Sequence, residues 1–212
     1  MISLAHISAR YPDSDVPVLT DFNLVLEKGS LTILFGGSGT GKTTIFKLLT
    51  RELTPVAGTI TVAGTPIISL RGTSLAAYRR SIGIVSQEYK LLEDRTIEEN
   101  ILLPLEIESM KPTRRRERMK SIMDRFDLTA KAKLRPKSLS ASERQKAAIA
   151  RAVVTEPLVL LADEPTAHLD HRGEEEIARL LRNENLRGMT ILLGTSDERL
   201  IAGFPGAAIV PL

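Results

Sequence analysis

Gly36-Gly37-Ser38-Gly39-Thr40-Gly41-Lys42-Thr43 is a glycine-rich turn that closes on a lysine and a hydroxyl. It fits the spacing G-x-x-x-x-G-K-[ST], in which successive backbone N–H groups converge on an anion and a helix N-terminus stands behind them. In such a turn Lys42 reaches the outer phosphates of a nucleoside triphosphate, the Thr43 hydroxyl sits beside Mg2+, and the binding surface runs on to Thr44. Far downstream, Asp163-Glu164 ends the apolar run Leu158-Val159-Leu160-Leu161-Ala162. A carboxylate at Asp163 suits Mg2+, directly or through water, and Glu164 is placed to orient or deprotonate an attacking water. Alone, the acidic pair reads equally well as a cap on the turn before Pro165. With a phosphate-binding turn upstream, the catalytic reading wins.

These groups need elements to hold them. Leu31-Thr32-Ile33-Leu34-Phe35 reads as a short buried strand and Thr44 to Leu49 as the first turns of a helix, the context that separates a phosphate loop from a chance glycine turn. Residues 1–35 look β-rich: Ile2 to Ile7 alternates, and Asp21 to Leu26 sets Phe22, Leu24 and Leu26 on one face. Glu27-Lys28-Gly29-Ser30 turns the chain into the next strand. Thr59 to Gly64 and Ile82 to Gln87 read as further strands, one ending in a turn and one in polar residues. From Glu88 to about Leu139 the spacing becomes helical, over Ile97–Leu105 and Arg114–Phe126, with Pro104 and Pro112 as breaks. A helix from Ser142 to Thr155, the strand Leu158–Ala162, a polar helix Arg172–Asn185 and the strand Thr190–Leu193 follow. The sequence therefore predicts an α/β fold with a mostly parallel sheet covered on both faces. It predicts one domain over 1–212, with residues 88–139 as a helical lobe inserted into it.

The 212 residues are 42% hydrophobic, enough for a normal core, and carry 29 basic against 26 acidic side chains. A net charge of +3 does not imply nucleic acid, and no nucleic-acid partner is expected. Cysteine is absent, which excludes disulfides and zinc–thiolate sites and fits a reducing compartment. No apolar stretch approaches the roughly 20 residues that span a bilayer. Met1 to Asp13 lacks the layout of a signal peptide. The expectation is a soluble, cytoplasmic chain that reaches a membrane only through a partner, with no regulatory domain after its last strand. The basic run Arg114-Arg115-Arg116-Glu117-Arg118-Met119-Lys120 reads as a solvated helix face, with Met119, Ile122, Met123 and Phe126 on the buried side. No aromatics are interleaved with it as a base-stacking surface requires.

Several further segments resemble the ATP-binding subunits of ABC transporters. Tyr11 lies where that family stacks an aromatic on adenine, and Gln87 ends its strand as the family's Q-loop glutamine does. Leu139-Ser140-Ala141-Ser142-Glu143-Arg144-Gln145 resembles the signature motif, followed by Ala150-Arg151-Ala152, and Ala167-His168-Leu169-Asp170 resembles the D-loop. The resemblance implies a RecA-like P-loop core with an N-terminal antiparallel β subdomain, ATP and Mg2+ as cofactors, and a homodimer closing on ATP beneath an integral membrane subunit. It gives catalytic positions to Glu164, Lys42 and Ser196, metal positions to Thr43, Gln87 and Asp163, and a role in the partner's site to Ser140, Ala141, Ser142 and Glu143. Arg79-Arg80-Ser81-Ile82-Gly83, Leu91-Leu92-Glu93-Asp94-Arg95-Thr96 and Asn100 are similar to the FtsE group, the cell-division branch of the family. That branch implies an FtsX-like membrane partner, a peripheral place on the inner face of the membrane, and a role in cell-wall remodelling. The LolD lipoprotein-release and MacB export ATPases share most of these segments, which keeps an exporter ATPase as the alternative.

Two departures stand out. Ala141 and Ser142 occupy positions where the family has glycines, and a side chain there crowds a phosphate that needs close backbone approach. Ser140 is expected to cap the helix and Ser142 to retain a donor, so closure is weakened and not abolished. Ser196 stands where the family's switch segment carries histidine; its hydroxyl is shorter and never cationic near pH 7. Slow turnover follows, with an ATP-gated scaffold that hardly hydrolyses as a third reading.

Overall fold

The computed structural model describes residues 1–212. Three strands build its centre: β3 (Leu31–Phe35), β7 (Val159–Asp163) and β8 (Ile191–Thr195). Each is a nearly unbroken apolar run, as strands covered on both faces require. The alternation of side chains splits them between two cores. Leu31, Ile33, Leu160, Ala162, Ile191 and Leu193 face one core, and Leu34, Val159, Leu161 and Leu192 the other. With β6 (Ile82–Val85) and β9 (Ala208–Pro211) they form a five-stranded parallel sheet in the order β6-β7-β8-β3-β9. A second, antiparallel sheet has the order β2-β1-β4-β5, made of β1 (Ile2–Ala9), β2 (Leu19–Leu26), β4 (Ala57–Val62) and the short β5 (Thr65–Pro66).

Helix α1 (Lys42–Leu49) lies between the sheets, burying Ile45, Phe46, Leu48 and Leu49. Its Phe46 ring needs the missing side chain of Gly194: a Cβ there would sit 2.8 Å from Phe46 Cε2. Helix α2 (Gly72–Arg80), which the sequence pattern did not reveal, leads into β6 and anchors Tyr78 through a 2.6 Å bond to the Leu49 carbonyl. The opposite face is covered by α5 (Ala141–Val153) and α6 (His171–Leu186), and a short α7 (Glu198–Ala202) precedes β9.

Between β6 and α5 run α3 (Ile97–Ile107) and α4 (Pro112–Arg125). Thr96 and Glu99 start α3 with reciprocal side-chain-to-backbone bonds. Pro104 does not break it, contrary to expectation: the helix continues to Ile107. An interior proline costs about 3 kcal/mol, and burial of Ile97, Ile101 and Leu105 against the core outweighs that. Pro112 does mark a boundary, as the first residue of α4, where no N–H is required. Along α4, Ile122 and Met123 are buried, followed by Phe126, with Met119 half-buried. Three of its arginines form ion pairs, Arg115 with Glu106 at 3.6 Å, Arg118 with Glu156 and Arg125 with Glu184 at 3.0 Å. No helix is long and apolar enough to cross a membrane.

Candidate nucleotide site

The phosphate-binding turn joins β3 to α1 at the carboxyl end of the parallel sheet, where open α/β sheets place their ligands. Gly41 precedes the helix at φ +107°, a conformation that a side chain resists, and a Cβ there would lie 3.0 Å from Leu19 Cδ2. Lys42 is buried and its ammonium donates to the carbonyls of Gly36 (2.5 Å) and Gly37 (2.8 Å). Thr40 Oγ1 donates to the same Gly37 carbonyl at 3.1 Å. Lys42 Nζ also stands 3.4 Å from Glu164 Oε1.

The two carboxylates leave β7 in different environments. Asp163 ends the strand, and its Oδ2 accepts a 2.7 Å bond from Thr43 Oγ1. Burial pushes its carboxyl above the usual aspartate range; the Thr43 bond opposes this and the neighbouring Glu164 charge adds to it. Its Oδ1 is buried without any hydrogen-bond partner, an uncommon state for a carboxylate oxygen. Glu164 lies beyond the strand at φ +45°, held by its N–H to the Gly194 carbonyl (2.9 Å). Its Oε2 accepts at 3.3 Å from the backbone N–H of Ser196, so the Ser196 contact is made by main chain.

A cavity of about 390 Å³ is lined by Tyr11, Ser38, Gly39, Gly41, Lys42, Thr43, Thr44, Gln87, Asp163, Glu164 and Ser196. Val18, which the sequence pattern did not flag, and Ala167, the first residue of the D-loop segment, complete it. Gly36, Gly37 and Thr40 stand behind the cavity, in the turn itself. Tyr11 is fixed at one end: its hydroxyl is 3.2 Å from Thr44 Oγ1 and accepts from Lys47 Nζ at 3.4 Å, and Lys47 Nζ is 4.9 Å from the ring centroid. Lys47 was not among the residues that the sequence pattern singled out.

The signature segment and Asp170 do not line this cavity. Ser140 caps α5, its Oγ accepting from Glu143 N at 3.2 Å, while Glu143 Oε2 accepts from Ser140 N at 2.8 Å. That backbone bond, aided by Lys131 at 3.3 Å, holds the Glu143 carboxyl below its usual range. Ala141 and Ser142 are the first two residues of the helix and half-buried. Asp170 caps α6 through a 2.8 Å bond from Gly173 N. Arg151 and Asn100 prove structural: Arg151 donates to the carbonyls of Lys90 (2.7 Å) and Tyr89 (3.2 Å), and buried Asn100 bonds both backbone groups of Leu92. Together they tie down the segment that follows Gln87.

The donors around Asp163 suit Mg2+: a hydroxyl, a carboxylate with one unpartnered oxygen, and an amide in the same cavity. No cluster of three or more acidic or histidine side chains forms a cage by itself.

A glycine turn between parallel strand and helix, with a carboxylate pair on the adjoining strand tip, defines a P-loop nucleoside triphosphatase. The sequence pattern of the family described as ABC transporter matches residues 19–167. The cell division ATP-binding protein FtsE of Haemophilus influenzae is 40% identical over 210 residues, covering 99% of this chain and 96% of that protein. FtsE of Mycobacterium tuberculosis is 37% identical over 201 residues, covering 95% and 87%. A bacterial ABC transporter cassette solved as a dimer superposes with a TM-score of 0.88 at 30% identity, over 100% of this chain and 94% of its own. A dimeric cassette in a post-hydrolysis state with ADP and Pi gives 0.87 at 29% identity, with the same coverage. The chain belongs to the ABC transporter family, as one of its ATPase cassettes.

Proposed function

We propose that this chain is the ATP-hydrolysing subunit of an FtsEX-like complex, coupling ATP-driven closure of a homodimer to an integral membrane partner in cell division. One observation carries the reading: Lys42, Thr43, Asp163 and Glu164 converge on one cavity while Ser140–Glu143 lies outside it. A cassette so divided has half of its site to offer a second copy. The FtsE relatives and the dimeric cassettes support that arrangement.

The residues then take these roles. Tyr11 stacks on the base, and Lys42 exchanges its two carbonyl partners for phosphate oxygens, a stronger charge-assisted pairing. Thr43, Asp163 and Gln87 hold Mg2+, which when bound neutralises phosphate charge. Glu164 Oε2 takes the proton of the attacking water, with Lys42 and the Ser196 N–H keeping the carboxylate in place. Ser196 lacks a group that follows the transferred phosphoryl, so turnover is slow. Residues 88–139 act as an inserted lobe of a single domain over 1–212. A groove lined by Ile84, Leu103, Pro104 and Ile107 takes a short helix of the membrane subunit, which holds the chain at the inner face of the membrane. Ile84 and Ile107 are 46% and 56% exposed there and form an open apolar edge.

Steady-state ATP hydrolysis by the chain, with and without its FtsX-like partner, tests the reading beside a Glu164→Gln control. Turnover above the control, falling about 10²- to 10³-fold in it with ATP still bound, is the expected result. ATP binding with no turnover above the control in either preparation replaces the ATPase by a nucleotide-gated scaffold, the reading that Ala141, Ser142 and Ser196 favour.

A further inference from the structure

Gln87 is the partition between two cavities. On one side it lines the nucleotide cavity with Asp163 and Glu164; on the other it lines a second cavity with Tyr89, Leu91 and His168. His168 belongs to the outer cavity alone. The two side chains touch across the partition: Gln87 Nε2 is 3.2 Å from His168 Nε2. An amide nitrogen has only hydrogens to give, so the imidazole nitrogen accepts. This bond occupies the nitrogen end of the amide. The carbonyl oxygen, Oε1, is left free.

His168 holds this position at φ +71°, a backbone region that disfavours a residue with a Cβ. It lies four residues past Glu164, which is also left-handed at φ +45°. Two turns fix the stretch, Ala167 N–H to the Glu164 carbonyl and Leu169 N–H to the Thr166 carbonyl, both at 3.1 Å. The strained loop thus carries at one end the carboxylate that faces Lys42 and at the other the imidazole that meets Gln87. Of the three histidines, only His168 contacts a residue of the nucleotide cavity; His6 and His171 pair with surface carboxylates.

We propose that His168 is a positioning residue for Gln87, setting its amide so that the carbonyl oxygen is presented to the nucleotide cavity. The distinction matters because a carbonyl oxygen is a ligand for Mg2+ and an acceptor for a water, whereas an NH2 group repels the cation. The inference rests on the reading of the cavity as a magnesium–nucleotide site.

The test is binding of a fluorescent ATP analogue to the full chain, titrated with Mg2+, with Glu164→Gln present throughout to arrest turnover. His168→Gly suits φ +71° and removes the imidazole; His168→Gln returns an acceptor at similar reach. In His168→Gly the Mg2+ needed for half-maximal binding is expected to rise about three- to tenfold, the loss of one orienting hydrogen bond. Binding in EDTA stays unchanged, His168→Gln restores the wild-type midpoint, and His168→Gly adds nothing in a Gln87→Ala background. A midpoint unmoved in His168→Gly, or a full additive effect on top of Gln87→Ala, overturns the positioning role and leaves the nucleotide site standing. Absence of magnesium-dependent nucleotide binding with His168 and Gln87 intact overturns both.

Discussion

Helices α1 and α5 each turn an N-terminus toward a position where the proposed function needs a phosphate, and the fold has finished them differently. Helix α1 begins after Gly41, with no side-chain cap and no acidic residue in its first turn. Its free N–H groups and dipole are open to an anion. Helix α5 begins after Ser140, whose hydroxyl already binds the Glu143 N–H, and Glu143 places a negative charge in the first turn. A terminus capped in this way is stable without a ligand and attracts an anion less. The phosphate turn therefore belongs to a site that needs its nucleotide, and the signature turn to a surface that stands unaided and adds to closure.

The strongest way to break that asymmetry is Lys42→Ala. It removes the buried ammonium that bridges the turn to Glu164, while α1 keeps its open N-terminus. Loss of charge-assisted bonds worth about 1.5–3 kcal/mol each predicts an ATP affinity lowered about 10²-fold, measured by calorimetry. An affinity within about threefold of wild type would place the binding energy in the backbone turn alone.

A smaller effect sharpens the comparison from the other side. Replacing Ala141 and Ser142 together by glycine keeps the Ser140–Glu143 cap but clears the first helical turn for close backbone approach. ATP-dependent dimerisation in a Glu164→Gln background, followed by light scattering, is expected to tighten about tenfold, or ~1.4 kcal/mol. An unchanged dimer constant assigns the weakness of this terminus to its cap and its Glu143 charge.

How far the sequence reaches follows the same division. The strands around the phosphate turn were legible because continuous apolar runs bounded by Gly, Asp and Glu have few alternative readings; β3 matches residue for residue and β7 within one residue. Ser140 as a cap was legible because capping is local chemistry. Helix α2 was not: it buries only Tyr78, so its nine residues carry no apolar stripe. Edge strand β9, with Ile209 exposed, gave an equally weak pattern. Pro104 misled because one lost hydrogen bond was weighed without the long-range packing of Ile101 and Leu105. The Gln87–His168 contact joins residues 81 apart, and nothing local marks such a pair.

A second pair of regions, the α4 end and the core helix α6, is joined by a 3.0 Å ion pair between Arg125 and Glu184. Burial lifts the Glu184 carboxyl above its usual range even though Arg125 and Arg187 pull the other way, so desolvation outweighs pairing. Below the ordinary glutamate value the group is protonated in both folded and unfolded chains and its charge costs nothing. As pH rises, the unfolded carboxyl ionises first, and the folded chain must then carry a charge that its surroundings disfavour; stability falls until pH passes the raised folded value. Glu184→Gln keeps the shape and an acceptor for Arg125 but never ionises. Its melting temperature is therefore expected to match wild type near pH 4 and exceed it increasingly toward neutral pH. A deficit that grows with pH would show that the Arg125 pairing wins. Because Glu184 lies outside the nucleotide cavity, ATP affinity should stay unchanged in either case, which separates attachment of the α4 end from assembly of the phosphate site.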